Sequence, residues 1–124
     1  KGDRVMATRK QKEVSELLRR EISSIMLHRL KDPRMGFVTV TRVEVTRDLR
    51  SATVFVSVRG SSEELESSLE ALSHAGGYIQ RLLGERLPLR FTPVLSFEQD
   101  EELLEAQRIN RLIDEVREED RSVE

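Results

Sequence analysis

Along this 124-residue chain the spacing of apolar side chains switches from helical to alternating and back. That change of period restricts the fold more than any single motif does. From about Arg9 to Leu30 the apolar positions Val14, Leu17, Leu18, Ile22, Ile25, Met26 and Leu30 form one helical stripe. Glu16 precedes Arg20 by four residues on the opposite face, the favourable order for a helical ion pair. Lys31-Asp32-Pro33-Arg34 ends the helix, because a residue before proline resists the α region. Residues 37–46 are rich in β-branched side chains and predict a strand. Their apolar phase slips between Val38/Val40 and Val43/Val45, which calls for a bulge or a change of burial. Asp48-Leu49-Arg50-Ser51 makes a turn, and Ala52 to Arg59 alternates cleanly, with Ala52, Val54, Val56 and Val58 on one face. An antiparallel hairpin with one covered face follows.

Gly60-Ser61-Ser62 followed by Glu63-Glu64 starts a second helix, with serine to cap it and carboxylates in its first turn. Leu65, Leu69 and Leu72 give its buried edge, and it is expected to stop near His74. Ala75-Gly76-Gly77 interrupts, and Ile79, Leu82, Leu83 and Leu87 mark a further helix. Pro88 and Pro93 bracket an extended piece leading to a third strand, with Leu95 and Phe97 facing inward. A last helix, from about Glu101 to Arg117, carries Leu103, Ile109, Leu112, Ile113 and Val116. Residues 1–9 form a flexible leader (Met6 is a candidate start), 10–100 the domain, 101–117 the final helix and 118–124 a disordered acidic tail.

A chain of this length buries about two-thirds of its unfolded surface, enough for one core without staples. There is no cysteine, so disulfides, thiolate metal sites and cysteine nucleophiles are excluded. Aromatic residues make up only 4% of the chain, which argues against an aromatic-stacking platform for single strands or a flavin pocket. No run reaches the roughly 18 apolar residues of a spanning helix, and no signal-peptide pattern opens the chain. His28 and His74 have no spacing partner for a metal. Glu63-Glu64 and Asp100-Glu101-Glu102 sit at helix starts, where capping explains them. No Walker loop, nucleophile elbow or dinucleotide fingerprint is present. Nothing here points to an enzyme or a cofactor.

The net charge of −2 conceals a split. Residues 1–60 hold 14 Lys and Arg against 7 Asp and Glu, and residues 61–124 hold 7 against 16. An imbalance of this kind hints at a surface facing a polyanion joined to an acidic flank. Arginine outnumbers lysine 17 to 4, and its planar fork suits phosphate.

The order α-β-β-α-α-β, with a glycine-bearing break between the middle helices, is that of a type II KH domain in the α+β class, here with an extra C-terminal helix. KH domains clamp nucleic-acid backbone with a G-x-x-G loop at that break. This chain has instead the Ala-x-Gly kink Ala75-Gly76-Gly77. Together with Lys31-Asp32-Pro33-Arg34, Phe37 to Val45, Asp48-Leu49, Ala52 to Ser57, Gly77-Tyr78-Ile79, Leu83-Gly84, Arg86-Leu87, Leu89-Arg90 and Thr92-Pro93, it resembles the ribosome-binding factor A family over roughly residues 10–117. The resemblance implies a non-enzymatic, cytoplasmic bacterial assembly factor, expected to be monomeric. It would bind the immature small (30S) ribosomal subunit and its 16S rRNA, support late 16S 5′-end processing, and matter most in the cold. Ribosomal proteins and a maturation GTPase are the further partners implied.

On that reading Ala75, Gly76, Gly77 and Tyr78 form a surface where RNA backbone can approach, and Arg81, Arg86 and Arg90 extend it. The competing structural reading makes the glycines a tight corner chosen for its dihedrals. Arg42, Arg47 and Arg50 around the hairpin, with Lys31 and Arg34 beside Pro33, would neutralise phosphates. Lys10, Lys12, Arg19 and Arg20 offer a further basic helix face. Phe55 on the open sheet face either stacks a base or lies under a long side chain. The alternatives are a protein-interaction module docking through the last helix, and a general KH-type RNA binder.

Overall fold

The structure, a computed structural model, describes residues 6–30 and 37–122, with the side chains of 121 and 122 left aside. Its elements run α1 (Arg9–His28), β1 (Val38–Val45), β2 (Ser51–Val58), α2 (Ser62–Arg86), β3 (Val94–Gln99) and α3 (Glu101–Ser122). The strands form one sheet in the order β1-β2-β3. β1 pairs antiparallel with β2, and β3 adds parallel to β2, with Ser51 opposite Val94.

α1 starts where the side chains can satisfy its free N–H groups. Thr8 accepts from the Gln11 N–H while the Gln11 side chain accepts from the Thr8 N–H, a reciprocal capping box. Residues 1–5 of the expected leader lie outside the described residues, and the helix already begins at Arg9. The expected stripe is buried at Val14, Leu18, Ile22, Ile25 and Met26. It packs on the apolar face of the hairpin, Val40, Val43, Val45, Ala52, Val54 and Val56. The slip in β1 is a register shift between Val40 and Arg42, which lets valines on both sides of it face the same core. In the turn, Leu49 takes a φ of 63°. That conformation strains a leucine, and packing of its half-buried side chain against the core offsets the strain.

α2 opens on a second capping box, Ser61 with Glu64. Within the KH-like α+β class, the two middle helices run here as one uninterrupted helix of 25 residues, so the expected stop near His74 is not found. Buried Leu72, Gly76, Ile79 and Leu83 follow in steps of four, three and four, so the stripe keeps its phase through the glycines. Each glycine costs a helix about 1 kcal/mol. Burying a leucine or isoleucine stabilises by about 1.5–3 kcal/mol, and Leu72, Ile79 and Leu83 are fully buried. Packing therefore wins over local propensity. Leu95 and Phe97 of β3 pack against the same core, as expected.

α3 continues through Ser122, beyond the expected end at Arg117, so residues 118–122 are helical and not a disordered tail. Glutamates are good helix formers, and a charge run by itself does not break a helix. Asp100 starts α3, its carboxylate accepting from the Leu103 N–H at 3.1 Å. Ile109, Leu112, Ile113 and Val116 are 44–56% exposed, so the stripe of α3 is not covered by the domain.

Candidate nucleic-acid interface

Where each arginine side chain lies divides the expected site residues into two groups. Arg42, at the bulge, is engaged on every side. Its guanidinium stands 3.8 Å from the centroid of Phe55. Nη1 is 2.8 Å from Glu44, Nε 3.4 Å from Asp100 and Nη2 3.8 Å from Glu102. Of the two expectations for Phe55, packing beneath a long side chain is therefore the one observed. Asp100 is 4% exposed and also accepts from the Thr41 hydroxyl. Burial alone raises its carboxyl pKa, but the Thr41 hydroxyl, the Leu103 N–H and the Arg42 charge outweigh it, and the net shift is downward. This knot, buried at Asp100, joins the sheet to the start of α3.

Arg86 pairs with Glu21 of α1 at 3.6 Å, a link between the two helices. Arg19 and Arg20 both bind Glu16. Hydrogen bonding from Arg19, then its charge and that of Arg20, hold the Glu16 carboxyl at about 2. Lys31 and Arg34 lie outside the described residues.

Arg47, Arg50, Arg81 and Arg90 differ: all four are exposed, and among the described residues none is in a salt bridge. Hydrogen bonds and a shared ring bring Arg50, Arg81 and Arg90 to the end of the sheet where β3 begins, and Arg47 lies in the same hairpin turn as Arg50. The Val94 N–H donates to the Arg50 carbonyl at 2.9 Å, joining the hairpin turn to the start of β3. The Leu95 N–H donates to the Gln80 side chain at 3.3 Å, joining β3 to α2 next to Arg81. Arg81 lies 5.3 Å from the Tyr78 centroid. Arg50 and Arg90 lie 4.3 and 5.4 Å from the centroid of Phe91, a ring that sequence reasoning passed over in favour of Phe55. The turn presenting Arg50 is fixed by Asp48, which accepts from Thr46 Oγ1 at 2.7 Å and from the Arg50 N–H at 3.1 Å. Those two hydrogen bonds, the Thr46 one foremost, and the nearby Arg50 charge hold the Asp48 carboxyl below its ordinary range.

One turn before Arg81, Gly77 is exposed, and a Cβ built on it would meet no atom within 4 Å. Its φ is not positive either. Neither a tight corner nor an unusual dihedral accounts for glycine there. At the buried Gly76 an added Cβ would come 3.9 Å from the Phe97 ring, an ordinary contact. The described residues contain no cluster of three or more His, Asp or Glu able to hold a metal ion, and no helix long and apolar enough to cross a membrane.

An antiparallel hairpin extended by a parallel third strand, backed by α1 and an α2 carrying paired glycines where G-x-x-G would stand, defines a KH-like α+β domain without the G-x-x-G loop. The comparisons make the class specific. Residues 10–113 match the family model described as ribosome-binding factor A. The ribosome-binding factor A of Halothermothrix orenii is 46% identical over 117 residues, covering 94% of this chain and 96% of that protein. That of Thermomicrobium roseum is 46% identical over 114 residues, covering 92% and 88%. The crystal structure of ribosome-binding factor A from Thermus thermophilus superposes with a TM-score of 0.64 at 27% identity, over 72% of this chain and 94% of that one. A homology model of the Thermus thermophilus factor, fitted into a cryo-EM map of its complex with 30S, gives 0.58 at 28% identity, over 68% and 88%. The chain belongs to the ribosome-binding factor A family.

Proposed function

We propose that this chain binds the immature small ribosomal subunit, contacting 16S rRNA through the end of the sheet bearing Arg47, Arg50, Arg81 and Arg90 and through the backbone at Gly76-Gly77. It supports late 16S rRNA processing at the 5′ end and subunit maturation in the bacterial cytoplasm, most of all in the cold, and acts without catalysis. The observation that carries this reading is the set of exposed arginines outside any described salt bridge, beside an exposed glycine with open space before it. Phosphate needs unpaired guanidinium groups, and backbone approach needs a missing side chain. Family membership and the 30S complex of the Thermus thermophilus relative support it. Arg42 and Arg86 serve the reading indirectly, by holding the sheet and α1 in place. The test is co-sedimentation with precursor and mature small subunits: preferential binding to the precursor is expected, and equal or absent binding refutes the reading.

A second reading concerns α3 and follows from its uncovered stripe, Ile109, Leu112, Ile113 and Val116. The helix carries eight acidic residues against four arginines, so it repels RNA and suits a basic protein partner with an apolar groove, a ribosomal protein on this reading. A photo-cross-linker at Ile109 in the bound particle should mark a basic ribosomal protein. Cross-links to rRNA, or none, would refute docking by α3.

A further inference from the structure

Phe91 is a large aromatic side chain at the arginine-bearing end of the sheet, and it is 42% exposed. The Arg50 guanidinium lies 4.3 Å and the Arg90 guanidinium 5.4 Å from its centroid, within cation–π range. The segment that carries the ring is anchored on the domain beside it. Pro93, two residues on, is fully buried; the turn that holds Arg50 is pinned by Asp48 and by the Val94 N–H. No carboxylate among the described residues forms a salt bridge with either arginine. A half-open ring close to two cations outside any described salt bridge combines what single-stranded nucleic acid requires: a π-face for a base and positive charge for the phosphates on either side of it.

We infer that Phe91 is a stacking site for one unpaired base of RNA, with Arg50 and Arg90 taking the flanking phosphates. The two guanidinium groups, Arg90 the more distant at 5.4 Å, leave the ring for the phosphates as the base enters. The inference rests on the RNA-binding reading of the same surface and adds a substrate class to it, an unstacked nucleotide in a single-stranded stretch. The low aromatic content excludes a multi-ring platform, and one ring framed by guanidinium planes suffices for a single base.

The test titrates the full chain with a labelled ten-nucleotide oligoadenylate and with a duplex of equal length, at low salt, by fluorescence anisotropy. Phe91→Ala and Phe91→Leu should each weaken single-strand binding about tenfold and leave duplex binding unchanged, whereas Phe91→Trp should restore it. Leucine keeps the apolar bulk, so equal losses for both variants separate stacking from packing. Single-strand binding by Phe91→Leu at the wild-type level overturns the stacking site, as does failure of the wild type to bind oligoadenylate. Co-sedimentation of the wild type with precursor subunits, run in parallel, tests the parent reading alone. Sedimentation without a Phe91 effect removes only the stacking site, and loss of sedimentation removes the parent reading.

Discussion

Replacing Gly77 by alanine is informative because the local structure has no use for a glycine there. It lies in a helix, exposed, with nothing near the missing Cβ. Gly77→Ala should raise stability by about 0.5–1 kcal/mol, measured by urea unfolding, and weaken binding to precursor subunits. A stabilised variant that binds as well as the wild type would show that no backbone approach occurs at this point. Asp100 tests a different link. Its carboxyl pKa is lowered on folding, so the carboxylate contributes stability above the ordinary value of 3.8, and the contribution is lost as pH falls through the lower folded value. Asp100→Asn should cost about 1–3 kcal/mol at neutral pH and show a shallower loss of stability below pH 3.8. Parallel thermal-unfolding profiles for the two proteins across that acid range would contradict the assignment.

At the scale of elements, periodicity made most of the fold readable. The capping serine before α2, the alternation of β2 and the bulge implied by the valine phase in β1 all follow from side-chain spacing, because one covered face dictates it. α2 was misjudged for a physical reason: Gly76 and Gly77 are local breakers, but Leu72, Ile79 and Leu83 stay in phase across them, and burial outweighs propensity. The site was less legible. Sequence shows that Arg42 and Arg86 are cations, but their partners Asp100 and Glu21 lie 58 and 65 positions away, and only the fold brings them together. Phe91 gave no periodic signal, since it lies between elements. Exposure on α3 leads to a further expectation. Leu112→Glu should change domain stability by less than about 0.5 kcal/mol, whereas Leu72→Ala should cost about 2–5 kcal/mol. A large loss from Leu112→Glu in chemical unfolding would mean that α3 packs on the domain.

For the whole molecule, a net charge of −2 is a poor guide to its behaviour toward RNA. The acidic residues of α3 extend from one part of the domain, while four of the arginines outside any described ion pair, Arg47, Arg50, Arg81 and Arg90, lie where the hairpin turn, β3 and α2 meet; Arg29, Arg59, Arg111 and Arg117 lie elsewhere. On the proposed function, this separation would orient the bound protein, with α3 kept from rRNA by its own charge. The most direct measurement is the salt dependence of binding to precursor small subunits, for the wild type and for the triple variant Arg50→Gln, Arg81→Gln, Arg90→Gln. The wild type should lose affinity linearly on a log–log plot, and the variant's slope should be shallower by about 2–3, with thermal stability unchanged. Equal slopes for the two proteins would place the RNA contacts elsewhere and contradict the central claim.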